Sequence, residues 1–214
     1  MIRLILMSFC LLSVSLVSFA GHNIDPKDWL VVDSIEGITL YQREHQDGLV
    51  EIRVDARIRT SFSAFMLMLE DTKRVPRWLH NVNSTQVLAQ LSPTENIVYT
   101  TFFAPWPATN RDMVTYSSYR SNDAQLILDI QDASTYLPTQ PGYIRITNVR
   151  SKWVLTKLSG NETLIVYTAF ANPNGALPTW LVNDLARDGA IKTFQGLKKE
   201  IGHYQSLKHP IINH

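Results

Sequence analysis

Asn172 to Leu207 reads NPNGALPTWLVNDLARDGAIKTFQGLKKEIGHYQSL, a turn followed by one long amphipathic helix. Asn174-Gly175 supplies the left-handed backbone freedom of a turn, and Pro178 suits a first helical position, where its missing donor would be unpaired anyway. At 100° per residue Val182, Ala186, Ala190, Thr193, Leu197, Ile201 and Tyr204 share one side, with Asp188, Lys192, Gln195, Lys199 and Ser206 opposite. The spacing therefore predicts a helix over 178–207, about 45 Å long, that covers a whole domain like a lid. Its inner stripe starts with small residues and grows bulky towards the end, so its first half should pack shallowly. Leu181 and Leu185 fall on the polar side, which implies a second neighbour or a membrane there.

The chain has 214 residues, 45% of them hydrophobic and 18% charged, which suits one sizeable core. The first twenty, MIRLILMSFCLLSVSLVSFA, carry an early Arg3, an apolar run and a small-residue end at Ser18 and Ala20. That is the pattern of an export signal over 1–20, leaving a single domain over 21–214 and a periplasmic or secreted location. The only cysteine, Cys10, lies inside this segment, so the mature chain has no disulfide and no thiolate metal site. Without Arg3, 19 Lys and Arg face 19 Asp and Glu, and this balance argues against nucleic acid as a partner.

Asp25-Pro26-Lys27-Asp28-Trp29 resembles a capped helix start leading into Leu30 and Val31. Strands follow. Val50, Ile52, Val54, Ala56 and Ile58 alternate with Glu51, Arg53, Asp55, Arg57 and Arg59, the pattern of a strand with one buried face, and His45 to Gly48 is its hairpin loop. Ser61 to Glu70 changes to helical habit, and 71–78 continues as a short segment broken by Pro76. Patterns at 84–91, 96–103, 112–120, 126–133, 143–155 and 163–170 predict successive antiparallel strands. The fold class is α+β, a long antiparallel sheet with a terminal helix laid across it.

Three stretches carry a resemblance: APWPATNRDMV (104–114), YIR (143–145) and NPNGALPTWLVN (172–183). Their order and spacing are similar to those of the START family of lipid-transfer domains, over about 29–204, and look most like its phosphatidylcholine-transfer branch. The resemblance implies a helix-grip fold, in which a curved sheet wraps the C-terminal helix around a tunnel holding one phospholipid or sterol-like lipid. It implies no covalent chemistry, no cofactor and no metal, a transient membrane contact and a monomer. The ligand-binding candidates are Arg77, Trp78, Tyr99, Phe103, Trp106, Arg111, Tyr116 and Tyr143, with Ala186, Ala190 and Phe194 on the helix. The gate candidates are Tyr136 and Leu137 in the 134–142 loop, and Trp180 and Leu181 at the start of the helix.

The residues leave several roles open. Arg111 and Asp112 are adjacent in a strand pattern, so they face opposite ways and do not pair with each other. Arg111 is a headgroup ligand or a structural partner of nearby loops. Tyr136 and Leu137 dip into a bilayer or plug the tunnel mouth. After Trp78 stands Leu79 where the phospholipid branch has an acid, and Val75 stands at its cation position. Neutral Thr100 and Ser117 align where sterol-binding relatives carry a charged pair, which suits a largely apolar ligand. The alternative is a helix-grip enzyme of cyclase or hydrolase type. No G-x-S-x-G elbow, phosphate loop or mature cysteine supports it, and His80 is the single histidine suited to acid or base work.

Overall fold

The computed structural model describes residues 28–104 and 106–212. The expected export segment and Asp25 to Lys27 lie outside the described residues. In chain order the strands are β1 (Leu30–Ile35), β2 (Ile38–Glu44), β3 (Val50–Arg59), β4 (Val82–Ser92), β5 (Glu95–Phe102), β6 (Arg111–Ser121), β7 (Gln125–Asp132), β8 (Ile144–Arg145), β9 (Thr147–Lys157) and β10 (Glu162–Asn172). The helices are α1 (Phe62–Glu70), α2 (Val75–Trp78) and α3 (Thr179–Glu200). Among the described residues the strands form one sheet in the order β1-β2-β3-β10-β9-β7-β6-β5-β4, with β8 beside β6. Every pairing is antiparallel except β6 with β8. The helices cover the inner face of this sheet, an α+β helix-grip arrangement.

The alternation in β3 does what its period dictates: Val50 to Ile58 turn inward and are buried, while the charged set turns outward. Ion pairs such as Arg43–Glu51 and Arg53–Asp55 lie on that outer side. Ser61 caps α1 by accepting from the Ala64 N–H at 3.1 Å, and the helix buries Phe62, Phe65, Met66 and Met68.

Three expectations are corrected. Leu30 and Val31 open an exposed edge strand and not a helix, because their backbone pairs with Gln42 and Tyr41 across the turn at Glu36-Gly37, both at positive φ. The single strand expected over 143–155 divides into β8 and β9, because Ile144 and Arg145 leave the β9 line to pair with Arg111 and Asp112. The long helix is α for 22 residues and then tightens into a 3₁₀ turn over Ile201–Tyr204, where the Tyr204 hydroxyl donates to Asp71 at 2.9 Å.

The second half of α3 is the tight half. Phe194 is fully buried and stacks on Trp153 at 5.6 Å, beside Tyr167 and Phe65. At Gly196 the α2 backbone approaches so closely that a Cβ would stand 2.5 Å from the Trp78 carbonyl oxygen. Only glycine fits there.

Candidate functional site

The three stretches singled out in the sequence meet at one end of the sheet. Arg111 and Asp112 open β6 and face opposite sides, as strand geometry requires. On the outer side Asp112 receives two bonds from Arg145 of β8, 2.8 Å from Nε and 2.9 Å from Nη2. Both partners are buried, and the Asp112 bonds hold the Arg145 guanidinium above its ordinary value. Arg145 also donates to the carbonyls of Ser134 (2.6 Å), Leu137 (2.8 Å) and Pro138 (3.1 Å), so it pins the 134–142 loop to the outer face. The Tyr99 hydroxyl joins the cluster by donating to Asp112 at 3.2 Å. Burial first, and then Asp112, push that phenol up to about 12. A buried bidentate pair whose remaining donors also find carbonyls offsets its desolvation.

On the inner side Arg111 is buried and donates to the carbonyls of Thr109, Pro173 and Asn174. Asn174 and Gly175 are both left-handed, and this turn brings the two β10-loop carbonyls onto the guanidinium. A Cβ at Gly175 would stand 3.0 Å from Ile144 and 3.3 Å from Arg111, so the glycine supplies clearance as well as φ. The Asn174 amide completes the clasp by donating to the Arg145 carbonyl at 2.8 Å and to Thr147 at 2.9 Å. No carboxylate pairs with Arg111 among the described residues, and burial lowers its pKa.

Two cavities lie one after the other along the inner faces of β5 and β6. Cavity 1, about 300 Å³, is beneath the first half of α3 and is walled by Val182, Leu185, Ala186 and Gly189, by Phe102, Phe103 and Arg111, and by Ile52 and Phe170. Cavity 2, about 450 Å³, continues past Thr100 and Met113 to Asn96, Thr115, Ser117 and Tyr119. Its roof is not α3. Met66 and Leu69 of α1, Val75 of α2, and the tail residues His209, Pro210 and Ile211 close it. The shallow packing expected of the first half of α3 is where cavity 1 lies, but the helix covers one chamber and not the whole domain. Leu185 borders cavity 1, which accounts for an apolar residue on that side of the helix.

Of the residues selected from the sequence, Phe103, Arg111 and Ala186 line cavity 1. The rest stand elsewhere. Arg77 is exposed at the end of α2. Trp78 is buried against Gly196 with its indole N–H unpartnered. Tyr99 and Tyr116 alternate onto the outer face, where Tyr116 donates to Glu95. Tyr143 lies half-buried before β8, lining neither cavity. Trp106 is 93% exposed, and Ala190 and Phe194 belong to the packed half of α3. Of the gate candidates, Tyr136 and Leu137 sit in the loop that Arg145 pins outside and reach neither cavity, so they do not plug a mouth. Trp180 is exposed on the first turn of α3 and Leu181 is half-buried there. Phe103 and Ala104, just after β5, border cavity 1 instead.

Sequence reasoning missed the pairing of Arg145, most of the cavity 2 wall and the tail, although Thr100 and Ser117, read as neutral residues inside the tunnel, do line cavity 2. Asn96, Val98 and Thr100 on β5, with Met113, Thr115 and Ser117 on β6, carried a signal in their alternation, since i and i+2 face the same way. The His209 backbone donates to Ser63 at 2.6 Å and its Nε2 lies 3.0 Å from Glu70, contacts between residues far apart in sequence. His80 borders cavity 1 with Nε2 3.8 Å from Asp188. Burial, and then Lys192, lower its pKa against the opposing effect of Asp188.

Comparison with known proteins gives a consistent picture. An uncharacterized Pseudomonas aeruginosa protein is 25% identical over 189 residues, 87% of this chain and 93% of that one. The mouse phosphatidylcholine transfer protein is 23% identical over 184 residues, covering 83% of this chain and 85% of the relative. The crystal structure of a STAR-related lipid transfer protein from Xanthomonas axonopodis superposes with a TM-score of 0.75 at 25% identity, over 82% of this chain and 99% of that one. An aromatase/cyclase from a Streptomyces species shares the fold alone, with a TM-score of 0.52 at 9% identity over 72% of this chain and 93% of its own. The START domain pattern matches residues 24–207, and with the sheet, the gripped helix and the motif clasp in place, the chain belongs to the START domain family.

Proposed function

We propose that this protein binds a single lipid, phospholipid or sterol-like, in the two-chamber tunnel and transfers it between membranes without covalent chemistry. The observation that carries this reading is the pair of cavities, about 300 and 450 Å³, with mainly apolar walls, the first left open by small residues on a gripped helix. Pockets of this size suit small lipid-like ligands, and hydrocarbon burial at roughly 25 cal/mol per Å² supplies the affinity. The lipid-transfer names of the relatives support the same class of ligand.

Opening moves the chain at Phe103, Ala104 and Trp106 against the start of α3. Phe103, Trp106 and Trp180 are 57%, 93% and 66% exposed on those two segments. Aromatic side chains of this kind settle at a bilayer interface, so the mouth opens onto membrane and the lipid does not cross water. The chain acts as a monomer in an exported setting, a reading supported by the export pattern over 1–20. The non-catalytic reading is supported by the histidines. The Nδ1 of His209 accepts from Ile211 and Ile212, each at 3.2 Å, and its Nε2 pairs with Glu70, so both nitrogens are engaged in contacts that hold the tail. The His80 backbone N–H donates to Thr193 Oγ1 at 3.1 Å, and its Nε2 faces Asp188 at 3.8 Å.

Vesicle transfer tests the proposal. Donor vesicles carrying labelled phosphatidylcholine and cholesterol are mixed with protein and acceptors. Saturable uptake of one lipid per chain, slowed by replacing Trp106 and Trp180 with alanine, is expected. Donors that keep both lipids at any protein concentration would contradict it.

A further inference from the structure

The chain that follows α3 closes the far end of cavity 2. His209, Pro210 and Ile211 border the cavity there, and the His209 ring stands edge-on to Tyr119, with centroids 6.3 Å apart, where the β6 wall ends. Two clips hold this tail to α1. The His209 backbone N–H donates to Ser63 Oγ at 2.6 Å in the first turn, and its Nε2 lies 3.0 Å from Glu70, the last helical residue. The ring's Nδ1 accepts from the N–H groups of Ile211 and Ile212, which turns the tail back over the cavity. Ile212 is buried, whereas Pro210 and Ile211 are exposed although they line the cavity. Val87, Gln90 and Pro93 of the β4–β5 hairpin combine the same two properties, so cavity 2 reaches the surface between this hairpin and the tail. The START pattern ends at residue 207, just before this strap.

Along β6, Arg111 borders cavity 1 and Tyr119 stands eight residues on, roughly 27 Å away at about 3.4 Å per residue. An extended hydrocarbon advances about 1.2 Å per bond, as an extended peptide does, so a chain of roughly 20 carbons spans that length. We propose that residues 208–212 are the strap that sets the chain length this protein accepts. A lipid chain that ends before Tyr119 is enclosed. A longer one is admitted only by lifting the strap at Ile211, with its surplus carbons leaving between the tail and Val87. The strap can lift because side chains fasten it: beyond Leu207, whose N–H donates to the Tyr204 carbonyl at 3.0 Å, its hydrogen bonds among the described residues run through Ser63, Glu70 and the His209 ring. This inference rests on the carrier reading and adds a chain-length specificity to it.

Two probes that differ only in length test the strap. Stearoyl and hexacosanoyl lysophosphatidylcholine are offered in equal amounts in phosphatidylcholine vesicles, and the probe bound to the protein is counted by native mass spectrometry. The wild type is expected to favour the stearoyl chain by about tenfold, comparable to the burial of two methylenes. A chain stopped after Leu207 should take both equally. Ile211→Trp, at an exposed position, should raise the preference in a protein that melts like the wild type. Amide exchange at Ile211 and Ile212 should speed up with the hexacosanoyl probe and not with the stearoyl one. Equal uptake by the wild type, or a preference that neither variant moves, would overturn the inference and leave the carrier reading standing. Uptake of neither probe would overturn the inference, and refusal of cholesterol as well would overturn the carrier reading.

Discussion

The two cavities share the walls of β5 and β6 but are closed by opposite means. Around cavity 1, charge and special backbone hold loops in place: Asp112 with Arg145, Arg111 with three carbonyls, and two left-handed residues in the 174–175 turn. Around cavity 2, packing does the work, with α1, α2 and the tail laid over strands that contribute no charged side chain to the lining. The contrast runs along α3 itself, small over cavity 1 and bulky where Phe194 and Leu197 seat it on the sheet. Polar fastening fixes the geometry of loops, whereas apolar packing gives a closed end its stability.

The largest expected effect comes from breaking the clasp. Asp112→Asn leaves Arg145 as a buried cation without its counter-ion, so urea unfolding should show a loss of about 3–5 kcal/mol. Next is a pair of glycines seven residues apart on α3. At Gly196 an added methyl meets the α2 backbone at 2.5 Å, and Gly196→Ala should cost about 1–3 kcal/mol as the helices separate. At Gly189 the nearest atom is His80 Cδ2 at 3.8 Å, ordinary contact, so Gly189→Ala should stabilise by about 0.5–1 kcal/mol, read from the same melts. Equal outcomes at the two glycines would erase the division between a loose and a tight half.

The smallest effect is one of pH. The His80 value is lowered in the fold from an ordinary 6.5, so on acidification the unfolded chain takes up its proton first. The neutral ring carries no penalty above about 6.5, and stability declines as the pH falls below it. Thermal melts from about pH 7.5 to 5.5 should show a small drop that His80→Gln reduces.

The grip of the helix was legible because 3.6-residue and two-residue periods are local properties of the chain. The pattern Val50 to Ile58 and the small-to-large stripe on α3 need no partner to be read. Alternation also placed Arg111 and Asp112 on opposite faces. It could not supply Arg145, whose pairing depends on a short parallel strand, nor the outward loop that carries Tyr136 and Leu137. Tyr99 and Tyr116 were selected as aromatics, yet their register turns them away from the tunnel, whereas the adjacent Thr100 and Thr115 face it. The tail that closes cavity 2 has no periodicity, and its burial appears only once His209 meets Ser63 and Glu70.

The central claim is one lipid in one two-chamber tunnel. Native mass spectrometry of the protein purified gently from its own host, followed by organic extraction, tests it most directly. The account predicts one bound lipid per chain, phospholipid or sterol-like, in the extracted material. A chain that carries nothing, and that takes up neither sterol nor phospholipid from vesicles, would contradict it.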